Sequence, residues 1–167
     1  MITLSLLILF PALMAYAAAS DLLTMTIPNK LSLGLFAGFI VLAFLGNLTL
    51  EALTLHVAAG AVVLAVGFVF FARGWVGGGD VKLAAVTSLW LGFGNLLDYL
   101  FIASVGGGLL TLVVLVARSA PLPAFALGWR WLEPIRMARK VPYGIALAAS
   151  ALIIYPRCEI WAAALAG

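Results

Sequence analysis

Six apolar runs follow one another along this chain, at residues 2–20, 31–48, 52–72, 81–97, 99–117 and 141–161. Most approach the roughly 20 residues that a helix needs to cross the hydrocarbon core of a bilayer. No water is available there to satisfy backbone N–H and C=O groups, so only helices and closed barrels can span. The runs lack the alternation of barrel strands. The sequence therefore predicts an all-α, polytopic membrane protein with about six transmembrane helices. A mean hydropathy of +1.24, with 66% hydrophobic and 9% charged residues, fits that class and no soluble one. Residues 1–167 are expected to form one membrane-embedded domain. The fourth run is the weakest: Lys82, Gly92, Gly94 and Asn95 interrupt it, so it is short or dips into a cavity.

The few basic residues are unevenly placed. Lys30 lies between the first two runs, Arg73 and Lys82 between the third and fourth, and Arg118, Arg130, Arg136, Arg139 and Lys140 between the fifth and sixth. Only Arg157 breaks the alternation. By the positive-inside rule those loops face the cytoplasm and both termini lie outside. The pI of about 9.4 follows from this topology, and no nucleic-acid partner is expected. Residues 2–20 end in Ala17-Ala18-Ala19-Ser20, similar to a signal-peptidase site, but no Lys or Arg precedes them. They read as a retained transmembrane helix. Segment 121–140 mixes aromatic and basic residues and reads as lying on an anionic leaflet. Cys158 is the single cysteine, which excludes an internal disulfide and a CxxC zinc site. His56 sits in an apolar run and reads as a packed or lipid-facing helix residue. No metal or cofactor is expected.

Two carboxylates stand out among six acidic residues. Asp21 lies where the first run ends, and Asp80 follows Gly77-Gly78-Gly79 where the fourth begins. Ionisable groups at membrane depth are costly and mark functional sites. The chain crosses twice between them, so the two share a face, and the charge bias makes it the cytoplasmic one. Each has a plain structural explanation: Asp80 as a helix N-cap, the glycines as a turn, and Ile27-Pro28-Asn29 as the entry to the second helix. Their coincidence on one face favours chemistry. Two carboxylates sharing a site hold one proton between them, as general acid–base attack of water on a peptide carbonyl requires. The glycines would let a substrate backbone approach Asp80. No Ser/His pair or phosphate-binding loop competes.

The residues that carry a resemblance are Asp21 with Ile27-Pro28-Asn29, then Gly77-Gly78-Gly79-Asp80-Val81-Lys82-Leu83, then Val141-Pro142-Tyr143-Gly144. In this order, across essentially the whole chain, the sequence resembles the type IV prepilin peptidases, membrane aspartyl proteases of the GxGD type. The resemblance implies that Asp21 and Asp80 are the catalytic pair. It implies that Ile27, Pro28, Asn29, Gly77, Gly78, Gly79, Lys82, Pro142, Tyr143 and Gly144 shape the site or bind substrate. It also implies cleavage of pilin-like precursors, each a leader peptide joined to a hydrophobic helix, at the cytoplasmic face of the inner membrane. Many members carry a cytoplasmic insertion with paired CxxC motifs and methylate the new N-terminus. This chain has neither, so peptidase activity alone is expected. It is similar to the short members serving tight-adherence (Flp-type) pili and to archaeal preflagellin enzymes.

A non-enzymatic transport or assembly subunit using Asp21 and Asp80 as a proton relay is the competing class, but it has no need of Ile-Pro-Asn or the glycine run. Within the enzyme reading, the helix dipole and Lys82 favour an ionised Asp80, and the C-terminal end of the first helix disfavours an anion at Asp21. Asp80 is thus expected to be the base and Asp21 the acid.

Overall fold

A computed structural model describes residues 2–119, 141–158 and 161. Segment 121–140, including the basic residues Arg130, Arg136, Arg139 and Lys140, lies outside the described residues, as do 162–167. The described chain is all-helical. The helices are α1 (Ile2–Thr24), α2 (Asn29–Leu45), α3 (Leu50–Ala72), α4 (Gly78–Ser119) and α5 (Tyr143–Ile154), followed by a single 3₁₀ turn, Tyr155–Arg157. Of these, α3 and α4 are long and apolar enough to cross a membrane by themselves, α2 and α5 are shorter apolar helices, and Ile8–Thr24 of α1 is likewise apolar. This is the fold class the sequence predicts.

The fourth and fifth predicted segments are joined in one element, α4, whose break falls at Gly92 rather than between residues 97 and 99. Gly92 has φ 70° and ψ 175°, in the left-handed half of backbone space that glycine enters without a Cβ clash. Asp98, placed at that loop in the sequence reading, is an exposed residue within the helix. The first half of α4, residues 78–91, is about 21 Å long at 1.5 Å per residue, short of a ~30 Å hydrocarbon core. The second half folds back beside it: Asp80 near the start of α4 and Gly107 in its second half line one cavity.

That first half is the hub of the molecule. Leu83, Val86, Thr87, Leu89, Trp90 and Leu91 are all buried, as expected of a helix surrounded on every side. α4 as a whole packs against α2, α3 and α5, while α1 sits against α2 and α5. Trp90 is fully buried and donates from Nε1 to the Leu35 carbonyl of α2 (2.9 Å). Phe10 of α1 lies 5.0 Å from the Trp90 ring and 4.3 Å from Tyr155, between centroids. His56 of α3 is buried, in keeping with a packed helix residue, and its Nδ1 lies 2.7 Å from the Leu89 carbonyl. A Cβ on Gly92 would stand 3.0 Å from that imidazole. The histidine thus caps a carbonyl that the break at Gly92 leaves without a helical partner.

Candidate functional site

The site is assembled at the opposite end of the bundle from Trp90, where α1 ends and α4 and α5 begin. Asp21 belongs to the last turn of α1, and its carbonyl accepts from Met25 N–H (3.0 Å). Met25 ends the helix with a positive φ of 53°. Three hydroxyls then fold the chain over: Ser20 Oγ donates to the Thr26 carbonyl (2.9 Å), Thr24 Oγ1 donates to the Ser20 carbonyl (2.8 Å), and Thr24 Oγ1 lies 2.7 Å from Thr26 Oγ1. Pro28 N-caps α2 with φ −63° and ψ 136°, the extended geometry its ring favours.

This turn sends Ile27 into the bundle as a wedge. A Cβ added to Gly79 would lie 3.3 Å from Ile27 Cβ. One added to Gly144 would lie 2.9 Å from Ile27 Cδ1 and 2.8 Å from Asp21 Oδ2. Gly79 adjoins Asp80 in sequence, and Gly144 touches Asp21. Asp21 and Asp80, 59 positions apart, thus belong to the same end of the bundle, with Ile27 packed at a neighbour of each.

Their settings differ. Asp21 is buried, and its Oδ2 accepts from the Gly144 N–H at 2.7 Å. That N–H belongs to the first turn of α5, one of the donors left without a helical acceptor. Pro142 caps α5 and places Gly144 there. Asp80 is half-buried in the first turn of α4, and Val81 N–H donates to the Gly77 carbonyl (3.1 Å). A Cβ on Gly77 would come within 2.8 Å of Asp80 Oδ2, and one on Gly78 within 3.2 Å of the Phe71 ring. The space beside Gly78 and Gly79 is thus taken by Phe71 and Ile27. These two glycines serve close packing within the chain, a narrower role than the open approach to Asp80 expected of the whole run.

The other predicted residues join the same frame. Lys82 Nζ donates to Asn29 Oδ1 (3.0 Å), pinning the start of α2 to the start of α4. Tyr143 OH lies 3.0 Å from Thr111 Oγ1, and its ring lies where a Cβ on Gly107 would meet it at 3.1 Å. Lys30, Arg73 and Lys82 all belong to this end of the bundle. Among the described residues, no group of three His, Cys, Asp or Glu side chains is arranged to hold a metal.

Beside Asp80 opens a cavity of about 680 Å³ that the sequence reading did not foresee. Its walls are α3, both halves of α4 and the start of α5, and Asp80 is the one charged residue among the described residues that line it. Gly67 and Gly107 line it but mark helix contacts rather than the gap, because small residues in apolar helices flag close approach. A Cβ on Gly67 would stand 2.6 Å from Val81 Cγ1. Tyr99 was also missed. It is fully buried between the halves of α4, and its hydroxyl is the one buried side-chain polar atom among the described residues without a hydrogen-bond partner. The Thr87 hydroxyl is its polar neighbour.

Compared with known proteins, residues 8–112 match the type IV leader peptidase family. That span includes Asp21, Ile27-Pro28-Asn29, the glycine run and Asp80. No curated protein and no solved structure matches the chain.

Proposed function

Because the chain belongs to the type IV leader peptidase family, we propose that this membrane peptidase is an aspartic endopeptidase with Asp21 and Asp80 as its catalytic pair. The observation that supports the assignment is that Ile27 packs both at Gly144, whose N–H Asp21 accepts, and at Gly79, the residue before Asp80. Its substrates are pilin-like precursors, a leader peptide followed by a hydrophobic helix. With no CxxC insertion in the sequence, the enzyme cleaves without methylating, and it serves tight-adherence or related pili. The proton-relay alternative gives no reason for the Ile27 wedge or the Gly144 contact.

In the proposed mechanism the ionised Asp80 takes a proton from water, and that water attacks the scissile carbonyl carbon. Protonated Asp21 gives its proton to the carbonyl oxygen. Gly144 N–H already occupies Oδ2 of Asp21, so Oδ1 is the oxygen that bears the transferable proton. Collapse of the tetrahedral adduct breaks the C–N bond, the leaving nitrogen takes a proton from Asp80, and Asp21 recovers its own. Asp80 sits at a helix N-terminus, which favours the anion, while Asp21 lies at a helix C-terminus, which does not.

The site end is proposed to face the cytoplasm, with both termini outside. Lys30, Arg73 and Lys82 at that end support this orientation. The test is cleavage of a purified precursor in proteoliposomes. Asp21→Asn and Asp80→Asn each lose about a thousandfold or more in rate, the scale of general acid–base catalysis, while remaining inserted and folded. Near-normal cleavage by either variant overturns the pair.

A further inference from the structure

We propose that the cavity beside Asp80 is a lateral docking groove for the apolar helix of the substrate, so that the residues just after the scissile bond run down between α3 and the second half of α4. This rests on the peptidase reading above and assigns which side of the cleaved bond lies where.

The first support is continuity. Asp80 lines the groove at its site end, so whatever Asp80 acts upon must enter the groove or abut it. From Asp80 and Trp75 the groove runs past Val66 and Leu100 towards Val62 and Leu96, away from the site and into the apolar belt.

The second support is chemistry. Among the described residues Asp80 is the one charged lining residue, and the walls they form are otherwise almost wholly aliphatic or aromatic. A polar leader gains nothing from such a surface, because its hydrogen-bonding groups would be buried without partners. An apolar helix satisfies its own backbone and presents only side chains. The occupant is therefore the hydrophobic segment of the precursor, with the leader remaining on the Asp21 side.

The third support is shape. The α3 wall, Val62 to Phe70, is about 12 Å long, and the α4 wall, Leu96 to Gly107, about 16 Å. A helix about 10 Å across and 12 Å long fills roughly 900 Å³. The cavity of about 680 Å³ thus takes most of such a segment and leaves its outer face to the bilayer. Val66 on one wall is 50% exposed and Leu97 on the other 78%, so the groove is open sideways to lipid. Ala84, Ala103 and Ser104 let a helix backbone come close, a fit that a mobile acyl chain does not require.

The experiment is steady-state cleavage of a full precursor by the reconstituted enzyme, with Ser104→Phe filling the groove. Ser104 is exposed, and its hydroxyl bonds only within its own helix, to the Leu100 carbonyl (2.7 Å). The expected result is a KM raised about tenfold with kcat held within about twofold, the pattern of lost binding rather than lost chemistry. Partial misfolding lowers apparent kcat and leaves KM alone, so a KM unchanged from wild type overturns the groove. In parallel, a photoreactive residue replacing Val66 should crosslink to the apolar helix of a precursor trapped on the Asp80→Asn enzyme. Crosslinks to lipid only also overturn it. If the wild type cleaves no precursor, or Asp80→Asn cleaves normally, the peptidase reading itself has failed. If those controls hold and Ser104→Phe is normal, only the groove has failed.

Discussion

At the end of the bundle away from Asp80, rings fill the space between helices; at the Asp80 end, glycines keep the helices close and leave the carboxylates a fixed seat. Phe10, Trp90 and Tyr155 are each at most 1% exposed and stack on one another, and His56 closes the break at Gly92. At the site, Gly79 and Gly144 hold Ile27 between them, and Gly144 N–H reaches Asp21. The ring end gains stability from contact area and dispersion, which tolerate small adjustments. The site end depends on placement, because a carboxylate moved by an ångström is in the wrong place for proton transfer. The two ends should therefore fail in different ways.

The largest test falls on the ring end. Trp90→Ala removes the side chain at the centre of three aromatic contacts and leaves the Leu35 carbonyl without its donor. Truncation of a buried tryptophan costs about 3–5 kcal/mol. The expected outcome is a large loss of folded enzyme in thermal or denaturant melts in detergent, with near-normal specific activity in the fraction that remains folded. Loss of activity at full stability would break the division, because packing at the far end would then be setting the geometry of Asp80.

The complementary test is Gly144→Ala. Its new methyl would stand 2.8 Å from Asp21 Oδ2 and 2.9 Å from Ile27 Cδ1, so the carboxylate and the wedge must both move. A displacement near 1 Å costs on the order of a hundredfold in rate. We expect kcat to fall by about that factor while the melting temperature changes little. Wild-type kcat in this variant would show that the position of Asp21 does not govern the reaction.

What the sequence revealed follows the same division. The apolar runs disclose helices because a bilayer leaves the backbone few other options. The carboxylates disclose a site because charge in such a chain is conspicuous. Even the shared end of Asp21 and Asp80 is legible, from the even number of apolar runs between them. The break at Gly92 was misplaced near Asp98 because a charged residue reads as a loop, whereas in the structure it sits exposed on a helix face. The Ile27 wedge was beyond reach: it needs three segments to meet, and a motif of three residues does not say what they touch. The groove was hidden for a related reason. Hydropathy scores each segment alone and carries no information about gaps between segments.

The smallest effect expected lies between the two ends. Tyr99 is fully buried, and its hydroxyl has no hydrogen-bond partner among the described residues. A buried donor left unsatisfied carries a desolvation penalty, and replacing it with an apolar group of the same shape is neutral or stabilising. Tyr99→Phe keeps the ring and deletes that one atom. It should raise stability by up to about 1 kcal/mol, read as a melting temperature a few degrees higher. If Tyr99 belongs to the packed interior, kcat should stay within about twofold, because no placement at the site depends on the hydroxyl. If kcat instead falls tenfold while stability rises, the hydroxyl serves Asp80. The working site would then extend one layer deeper than the glycines and Ile27, and the boundary between the two ends would lie at Tyr99 and Thr87 instead.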